Sequence, residues 1–307
     1  MSGNHEPPAS DRELNVDIVR LVMREQFPDL ELGQVRHLGS GWEYDAYLVD
    51  GSLVVRFPRY AEVAADLDHA EAVLRFVGAG VGSSVVVPKI TLRGRSSIHF
   101  PHRFFGHDLI PGVDANDRRA PQSAGLASDL GRALTHIHSI PPTSAAELGI
   151  GPQKWFCRTA YDGLIRLVAT APGLREVAPE AYAWLQGPPA LPREYAGMPR
   201  FIHDDFQPEH IIVDEASGRL NGVIDWGGAL GDPAQDFTFI LPWRGWPFTR
   251  AMLDAYGLPL DEDFEARLDF LGRVRALGWL AYAVVQGESA HVSPAMVNNL
   301  FASKQSS

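Results

Sequence analysis

Phe201-Ile202-His203-Asp204-Asp205-Phe206-Gln207-Pro208-Glu209-His210 is followed by Ile211-Ile212-Val213, by Glu215-Ala216-Ser217-Gly218 and then by Gly222-Val223-Ile224-Asp225-Trp226-Gly227-Gly228. Two β-rich runs around a glycine-bearing turn read as a hairpin. If the turn centres on residues 216 and 217, antiparallel partners sum to a constant near 434, which places residue 210 opposite 224 or 225. His210 and Asp225 therefore meet at the hairpin's open end. Asp205 lies five residues upstream, within reach of the same point through a tight loop. Two carboxylates and an imidazole held this way can bind a divalent ion and leave one carboxylate free as a base. Downstream, Asp232-Pro233 fits a helix start with Asp at the N-cap and Pro at the first helical position.

Working outward, the chain divides by character. Leu14, Ile18, Leu21 and Val22 mark an amphipathic helix that Pro28 ends. Val35 to Leu38, Asp45 to Val49 and Leu53 to Phe57 read as an antiparallel meander with turns at Gly39-Ser40-Gly41 and Asp50-Gly51-Ser52. A helix over about 64–77 follows, and two further strands are expected near 85–87 and 104–108. Past Pro111-Gly112, Leu126, Leu130, Leu134 and Ile137 set a helical period that Pro141-Pro142 stops. Helix dominates from there apart from the hairpin, and the proline-rich segment 187–200 reads as a loop leading into it.

Composition limits the function classes. The chain has 307 residues, enough for two lobes around a cleft. Lys and Arg number 27 against 38 Asp and Glu, a formal charge of −11. That sign is wrong for neutralising nucleic-acid phosphates or an anionic membrane surface and suits a cationic small molecule better. Cys157 is the only cysteine, so neither an intrachain disulfide nor a CxxC zinc site can form. No apolar run approaches a membrane span, and the polar start Ser2 to Ser10 does not read as a signal peptide. A cytoplasmic location is expected.

The run His203-x-Asp205-x-x-x-x-His210, then Ile224-Asp225-Trp226 and Gly231-Asp232-Pro233-x-x-Asp236, resembles the signature of the aminoglycoside and macrolide phosphotransferases. Leu38-Gly39-Ser40-Gly41, Val54-Val55-Arg56-Phe57-Pro58-Arg59, Glu71 and Gly106 to Gly112 resemble the nucleotide-binding lobe of the same small-molecule kinases. The resemblance implies an α+β, bilobal, protein-kinase-like fold, with an antiparallel-sheet N-lobe and a mainly helical C-lobe. It implies a nucleotide-binding lobe over 1–106, a hinge at 107–112 and a helical lobe over 113–307 with the catalytic loop and substrate-binding helices. Asp205 takes the catalytic carboxylate position, and His210 and Asp225 take the Mg²⁺ positions. ATP or GTP is the implied phosphate donor, with the backbone of His107, Asp108, Leu109 and Ile110 against its purine and Ser40 and Gly41 near its phosphates. Position 210 departs from the family's usual Asn, an oxygen ligand better suited to Mg²⁺ than imidazole is. Arg56 stands where the family keeps a phosphate-binding lysine.

Glu71 supports the assignment of Arg56 independently. It lies on its helix's apolar stripe, four residues after Leu67 and three before Leu74, so its carboxylate faces the sheet and needs a cation. Arg56 is the nearest partner, with Arg59 the alternative. His203 braces the loop by hydrogen bonding, and Asp204 reads as an exposed loop acid.

Asp236, Asp263 and Glu265 in the helical half are candidate contacts for a polycationic aminoglycoside, although acids at 261–263 also suit a helix start. The Arg-Phe-Pro-Arg and Phe-Ile-His-x-Asp-Phe runs are most similar to the branch acting on the 2″ hydroxyl. A macrolide acceptor is the rival, with Trp243, Trp246, Trp279 and Tyr282 as a candidate apolar lining or simply as core. A metabolite kinase of the same fold and a non-catalytic nucleotide-binding scaffold are further alternatives. Retention of Asp205, His210 and Asp225 argues against the scaffold.

Overall fold

The computed structural model describes residue 10 and residues 13–171, 173–186, 190–286, 294, 297, 300 and 301. Most of the N-terminal tail, and Pro188 and Pro189 of the proline-rich segment, lie outside these. Asn15 caps α1 (Val16–Gln26), its side chain accepting from the backbone N–H groups of Asp17 and Ile18. Strands β1 (Val35–Ser40), β2 (Tyr44–Val49) and β3 (Leu53–Pro58) form the meander. Helices α2 (Ala61–Ala65) and α3 (Leu67–Val81) precede β4 (Ile90–Gly94) and β5 (Phe104–Asp108). The sheet is antiparallel in the order β1-β2-β3-β5-β4.

Its two faces separate by side-chain alternation. Tyr47, Val49, Val55, Phe57 and Phe104 face α1 and bury Val19, Val22 and Met23 there. Tyr44 and Phe105 face the other way and pack on Leu67 of α3. Arg56 is paired with Ala46 and Phe105, which puts it on this second face. The strand expected near 85–87 is reduced to a single bridge from Val86 to Gly222, which ties the helical half to the segment leading into β4.

The second half begins with β6 (Val113–Asp114) and is otherwise mainly helical. It contains α4 (Leu126–His138), α5 (Pro142–Glu147), α6 (Cys157–Val168), α7 (Leu174–Val177), α8 (Pro179–Gln186), α9 (Ile240–Ala255) and α10 (Phe264–Gln286). Between α8 and α9 run β7 (Arg200–Ile202), β8 (Ile211–Val213), β9 (Leu220–Val223) and β10 (Ala229–Gly231). The arrangement is a bilobal α+β fold with an antiparallel-sheet N-lobe and a helical C-lobe. The larger core belongs to the C-lobe, where Leu130, Leu134 and Ile137 of α4 meet Phe237, Leu268 and Leu277. Cys157 is buried in it, and burial pushes its thiol up to about 12. No helix among the described residues is long and apolar enough to cross a membrane.

Gly112 joins the lobes at φ 125°, a left-handed-side value that favours glycine, and a Cβ there would lie 2.1 Å from the Val213 carbonyl oxygen. A side chain at 112 would push β8 and its loop away from the upper lobe.

Candidate active site

The hairpin forms in the expected register. Ile211 pairs with Val223, and the N–H of Ile224 donates to the His210 carbonyl at 2.9 Å. Asp205, His210 and Asp225 converge, one ligand atom of each lying within 4.8 Å of the others. His210 Nδ1 lies 2.9 Å from the Asp205 carbonyl oxygen and so donates to it, which leaves Nε2 as a lone pair 3.4 Å from Asp225 Oδ2. That tautomer is the one a metal ligand requires. The residues fit a divalent cation held by the Asp225 carboxylate and the His210 imidazole.

Arg56 approaches this cluster from the other lobe. Its guanidinium donates to Asp225 Oδ1 at 2.9 Å and stacks 4.6 Å above the Tyr44 ring. Burial alone would raise the Asp225 carboxyl, but the charge of Arg56 and the hydrogen bond it donates hold it below the usual carboxylate range. For Asp205 burial wins, and its carboxyl is raised despite His210, His203 and Arg275 nearby. A carboxylate shifted this way is a better proton acceptor for a hydroxyl.

His203 braces the loop as expected. Its Nδ1 accepts from the Asp205 N–H at 3.3 Å, and its Nε2–H donates to the Ile224 carbonyl at 3.0 Å. Burial lowers its pKa, so the ring is a neutral strut. Asp204 and Asp225 take φ of 67° and 63°, a region sparsely used by residues other than glycine, though aspartate is enriched there. Two such residues beside the loop and hairpin show where the fold holds strained backbone.

Several expectations require correction. Glu71 does not pair with Arg56: it accepts a forked contact from Arg93 on β4, with Nε at 2.8 Å, and Arg75 lies near. Strand β4 at the sheet edge lies beside α3 and supplies the cation, which releases Arg56 to reach across the cleft. Arg59 is held by the Gly41 carbonyl at 3.1 Å and by Asp45 at 3.8 Å. The Gly41 N–H closes its own turn onto the Tyr44 carbonyl at 2.9 Å, and Ser40 Oγ lies 3.3 Å from His37. The hinge backbone is partly occupied as well, since the Leu109 N–H donates to the Ser52 carbonyl at 2.7 Å. His107, buried and lowered in pKa, donates through Nδ1 to the Asp108 carbonyl at 2.9 Å. Ile110 is buried, and beside this segment opens a cavity of about 470 Å³ lined in part by Arg36, Leu48, Leu109, Pro111 and Arg119.

The candidate acceptor contacts change most. Asp236 is fully buried and out of any ligand's reach. It accepts from His138 Nε2 at 3.0 Å and from the backbone N–H groups of His203 at 2.8 Å and Asp204 at 2.9 Å. It is the anchor of the catalytic loop. Glu265 pairs with Arg250 at 2.9 Å, and Asp263 lies 3.9 Å from Arg193. Asp232 caps the following turn as expected, accepting from Ala234, and also pairs with buried Arg267 at 2.6 Å.

Other residues were missed by sequence reasoning. Gln207 places its amide nitrogen 3.3 Å from both Asp205 Oδ2 and His210 Nε2. Arg275 of α10 comes within electrostatic reach of Asp205, Asp204 and Asp236. Asp204 is not an exposed acid, because burial and Asp236 raise its carboxyl to about 6. Spacing along the chain carried no signal for any of these.

The model of the phosphotransferase enzyme family matches residues 34–270. The uncharacterized protein YcbJ of Bacillus subtilis (strain 168) is 26% identical over 215 residues, 66% of this chain and 67% of that protein. The GDP complex of aminoglycoside 2'-phosphotransferase-IIIa superposes with a TM-score of 0.68 at 22% identity, covering 95% of this chain and 100% of that one. The macrolide 2'-phosphotransferase MphH from Brachybacterium faecium gives 0.60 at 23% identity, covering 93% and 98%. With the family model spanning both lobes and the whole cluster from Asp205 to Asp225, the chain belongs to the phosphotransferase enzyme family.

Proposed function

We propose that this chain transfers the γ-phosphoryl group of ATP or GTP to a hydroxyl of a small-molecule alcohol, with Asp205 as the base. The observation that carries the reading is the convergence of Asp205, His210 and Asp225 opposite a cation from the other lobe, Arg56. Phosphoryl transfer asks chiefly for positioning and charge neutralisation. Asp205 orients the acceptor hydroxyl and takes its proton as the new O–P bond forms. The bond from the γ-phosphorus to the β–γ bridging oxygen breaks, and the nucleoside diphosphate leaves. Arg56 binds the nucleotide phosphates through its fork once Asp225 is otherwise engaged. Mg²⁺, when bound by His210 and Asp225, supplies neutralisation of the phosphate charge. His107 to Ile110 and the adjoining cavity receive the purine.

Relatives in structure are named for aminoglycoside and macrolide acceptors, and both classes belong in the first assay. An aminoglycoside could not reach Asp236, which is buried, whereas Asp263 and Glu265 lie at the surface in exposed pairs with Arg193 and Arg250. The test is a coupled phosphorylation assay with each nucleotide, alongside calorimetric nucleotide binding. Asp205→Asn is expected to lower turnover by about 10²–10⁴-fold, the usual contribution of a positioned base, with nucleotide affinity nearly unchanged. Turnover retained in that variant would remove Asp205 from the base position.

A further inference from the structure

Asp205, His210 and Asp225 lie close enough to share one cation, since a ligand atom of each falls within 4.8 Å of the others. The Asp205 and Asp225 side chains are 47% and 43% exposed, so both are open to a cation from solvent. A carboxylate engaged by a cation is a poor proton acceptor, because the adjacent positive charge favours its ionised form. Asp205 serves as the base only if another group keeps it out of the coordination shell.

Gln207 stands where that group is needed. Its backbone is fixed on both sides: its N–H donates to the Asp205 carbonyl at 2.8 Å, and its carbonyl accepts from the His210 N–H at 2.9 Å. The loop's shape therefore does not depend on the side chain. The side-chain nitrogen lies 3.3 Å from Asp205 Oδ2 and 3.3 Å from His210 Nε2. A carboxylate only accepts, and Nε2 accepts because Nδ1 donates to the Asp205 carbonyl, so the two contacts use both hydrogens of the amide. Oδ2 is thus covered by an N–H, and His210 Nδ1 lies 3.5 Å from the same oxygen. Among the described residues no donor reaches Oδ1, which is left to face a hydroxyl. Residue type matters here. An ammonium would repel a cation from His210 and Asp225 as well, and a carboxylate would join them as a ligand, whereas a neutral amide covers one oxygen and does neither.

Resting on the phosphotransferase reading above, we propose that Gln207 is a positioning residue that keeps Asp205 out of the cation's coordination shell. His210 and Asp225 then hold the cation while Asp205 stays a base. The amide N–H on Nε2 gives way to the cation, and the one on Oδ2 remains.

Gln207→Met removes both N–H groups at similar volume. It should bind the cation better and turn over more slowly, two changes of opposite sense that a damaged loop would not produce. Mg²⁺ is titrated into the nucleotide-free chain and followed at the His210 ring nitrogens by NMR, a readout that needs no turnover. The dissociation constant should fall by about 3-fold or more, and adding Asp205→Asn should erase the gain, because the two residues are coupled. Nucleoside diphosphate release from ATP and GTP, with kanamycin, azithromycin or water as acceptor, should show kcat lowered by about 10-fold or more, the loss of a hydrogen bond to a charged group. Gln207→Leu, of different shape, should repeat both changes, with circular dichroism melts checking the fold. Unfolding of both variants would show that the side chain holds the loop and would overturn the proposal. Unchanged or weaker Mg²⁺ binding, a gain that survives Asp205→Asn, or an unchanged kcat would overturn it too. An Asp205-dependent gain in a chain that releases no nucleoside diphosphate would sustain the exclusion of Asp205 and defeat the phosphotransferase reading. Release by the native chain, with Mg²⁺ affinity unmoved in the variants, would do the reverse.

Discussion

Asp236→Asn separates a structural anchor from an acceptor contact. The wild-type carboxylate accepts three buried hydrogen bonds, two at Oδ2 from His138 Nε2 and the His203 N–H and one at Oδ1 from the Asp204 N–H. An amide can keep its oxygen at the Oδ2 position, but its NH₂ then faces the Asp204 N–H, donor against donor. That orphaned N–H costs about 1–3 kcal/mol, and each of the two surviving bonds loses about 1 kcal/mol with the charge. The total of about 3–5 kcal/mol matches what breaking a buried charged pair usually costs. With an unfolding entropy of about 2.1 cal/mol/K per residue over 307 residues, Tm should fall by about 5–8 °C. Burial would raise the Asp236 carboxyl, but the hydrogen bonds it accepts from His138 and from the His203 backbone hold it below its ordinary 3.8. A depressed folded-state pKa contributes stability above the unfolded value that is lost as pH falls. The gap between wild type and variant should therefore hold at neutral pH and begin to close below about pH 4. Circular dichroism melts across pH, with kcat and KM on the same preparations, are the assay. A loop displaced by about 1 Å should lower kcat by about 10²-fold. An unchanged Tm with only a raised acceptor KM would refute the anchor and return Asp236 to the acceptor site.

Two further outcomes follow from the same contacts. Arg56→Ala should weaken nucleotide binding by about 10-fold or more, the loss of a charge-assisted fork, whereas Glu71→Ala should change it by less than about 3-fold because Glu71 is engaged with Arg93. Calorimetry showing the opposite order would restore the Arg56–Glu71 pair. The acidic limb of the kcat/KM profile should lie above the ordinary carboxylate value of 3.8, because burial raises Asp205 and a base must be unprotonated. A limb at or below that value would show that another group titrates.

The hairpin was the most legible part of the chain, because its register follows from turn position alone; the sum of 434 is realised by Ile211 and Val223. The meander was legible for the same local reason, down to the turn at Asp50-Gly51-Ser52. Periodicity did place Glu71 on an inward stripe, and its carboxylate does find a cation. The partner was wrong because facing a sheet does not say which strand is met, and it is Arg93 of the edge strand β4 that reaches Glu71. Asp236 carried a motif whose chemistry, a carboxylate after Asp-Pro, says nothing of depth. Its burial follows from α4, which brings His138 to it across 98 residues. Arg275 is the hardest case: an arginine within an apolar helix reads as a side chain reaching for water, and its place beside the catalytic loop depends on how α10 packs against the turn at Pro233–Phe237.

The contact between Arg56 and Asp225 has a consequence for how donor and cation bind. The proposed phosphate-binding residue and a proposed cation ligand satisfy each other at 2.9 Å across the two lobes. Nucleotide alone would draw Arg56 away and leave Asp225, flanked by Asp205, facing added negative charge. Cation alone would occupy Asp225 and release Arg56 with nothing to hold. Together they exchange one ion pair for two, so each should tighten the other by the same factor, as linkage requires. An isolated pair this exposed is worth little, so the coupling should come from the phosphates and the cation rather than from the broken bridge. Nucleotide affinity measured with chelator and then with Mg²⁺ should rise by about 10-fold or more, and Mg²⁺ affinity should rise equally on saturation with nucleotide. In Arg56→Ala the bridge is gone before either ligand arrives, yet the tightening by Mg²⁺ should persist. Loss of that tightening in the variant would mean that the bridge itself, and not the charge the nucleotide brings, sets the order in which the cleft fills.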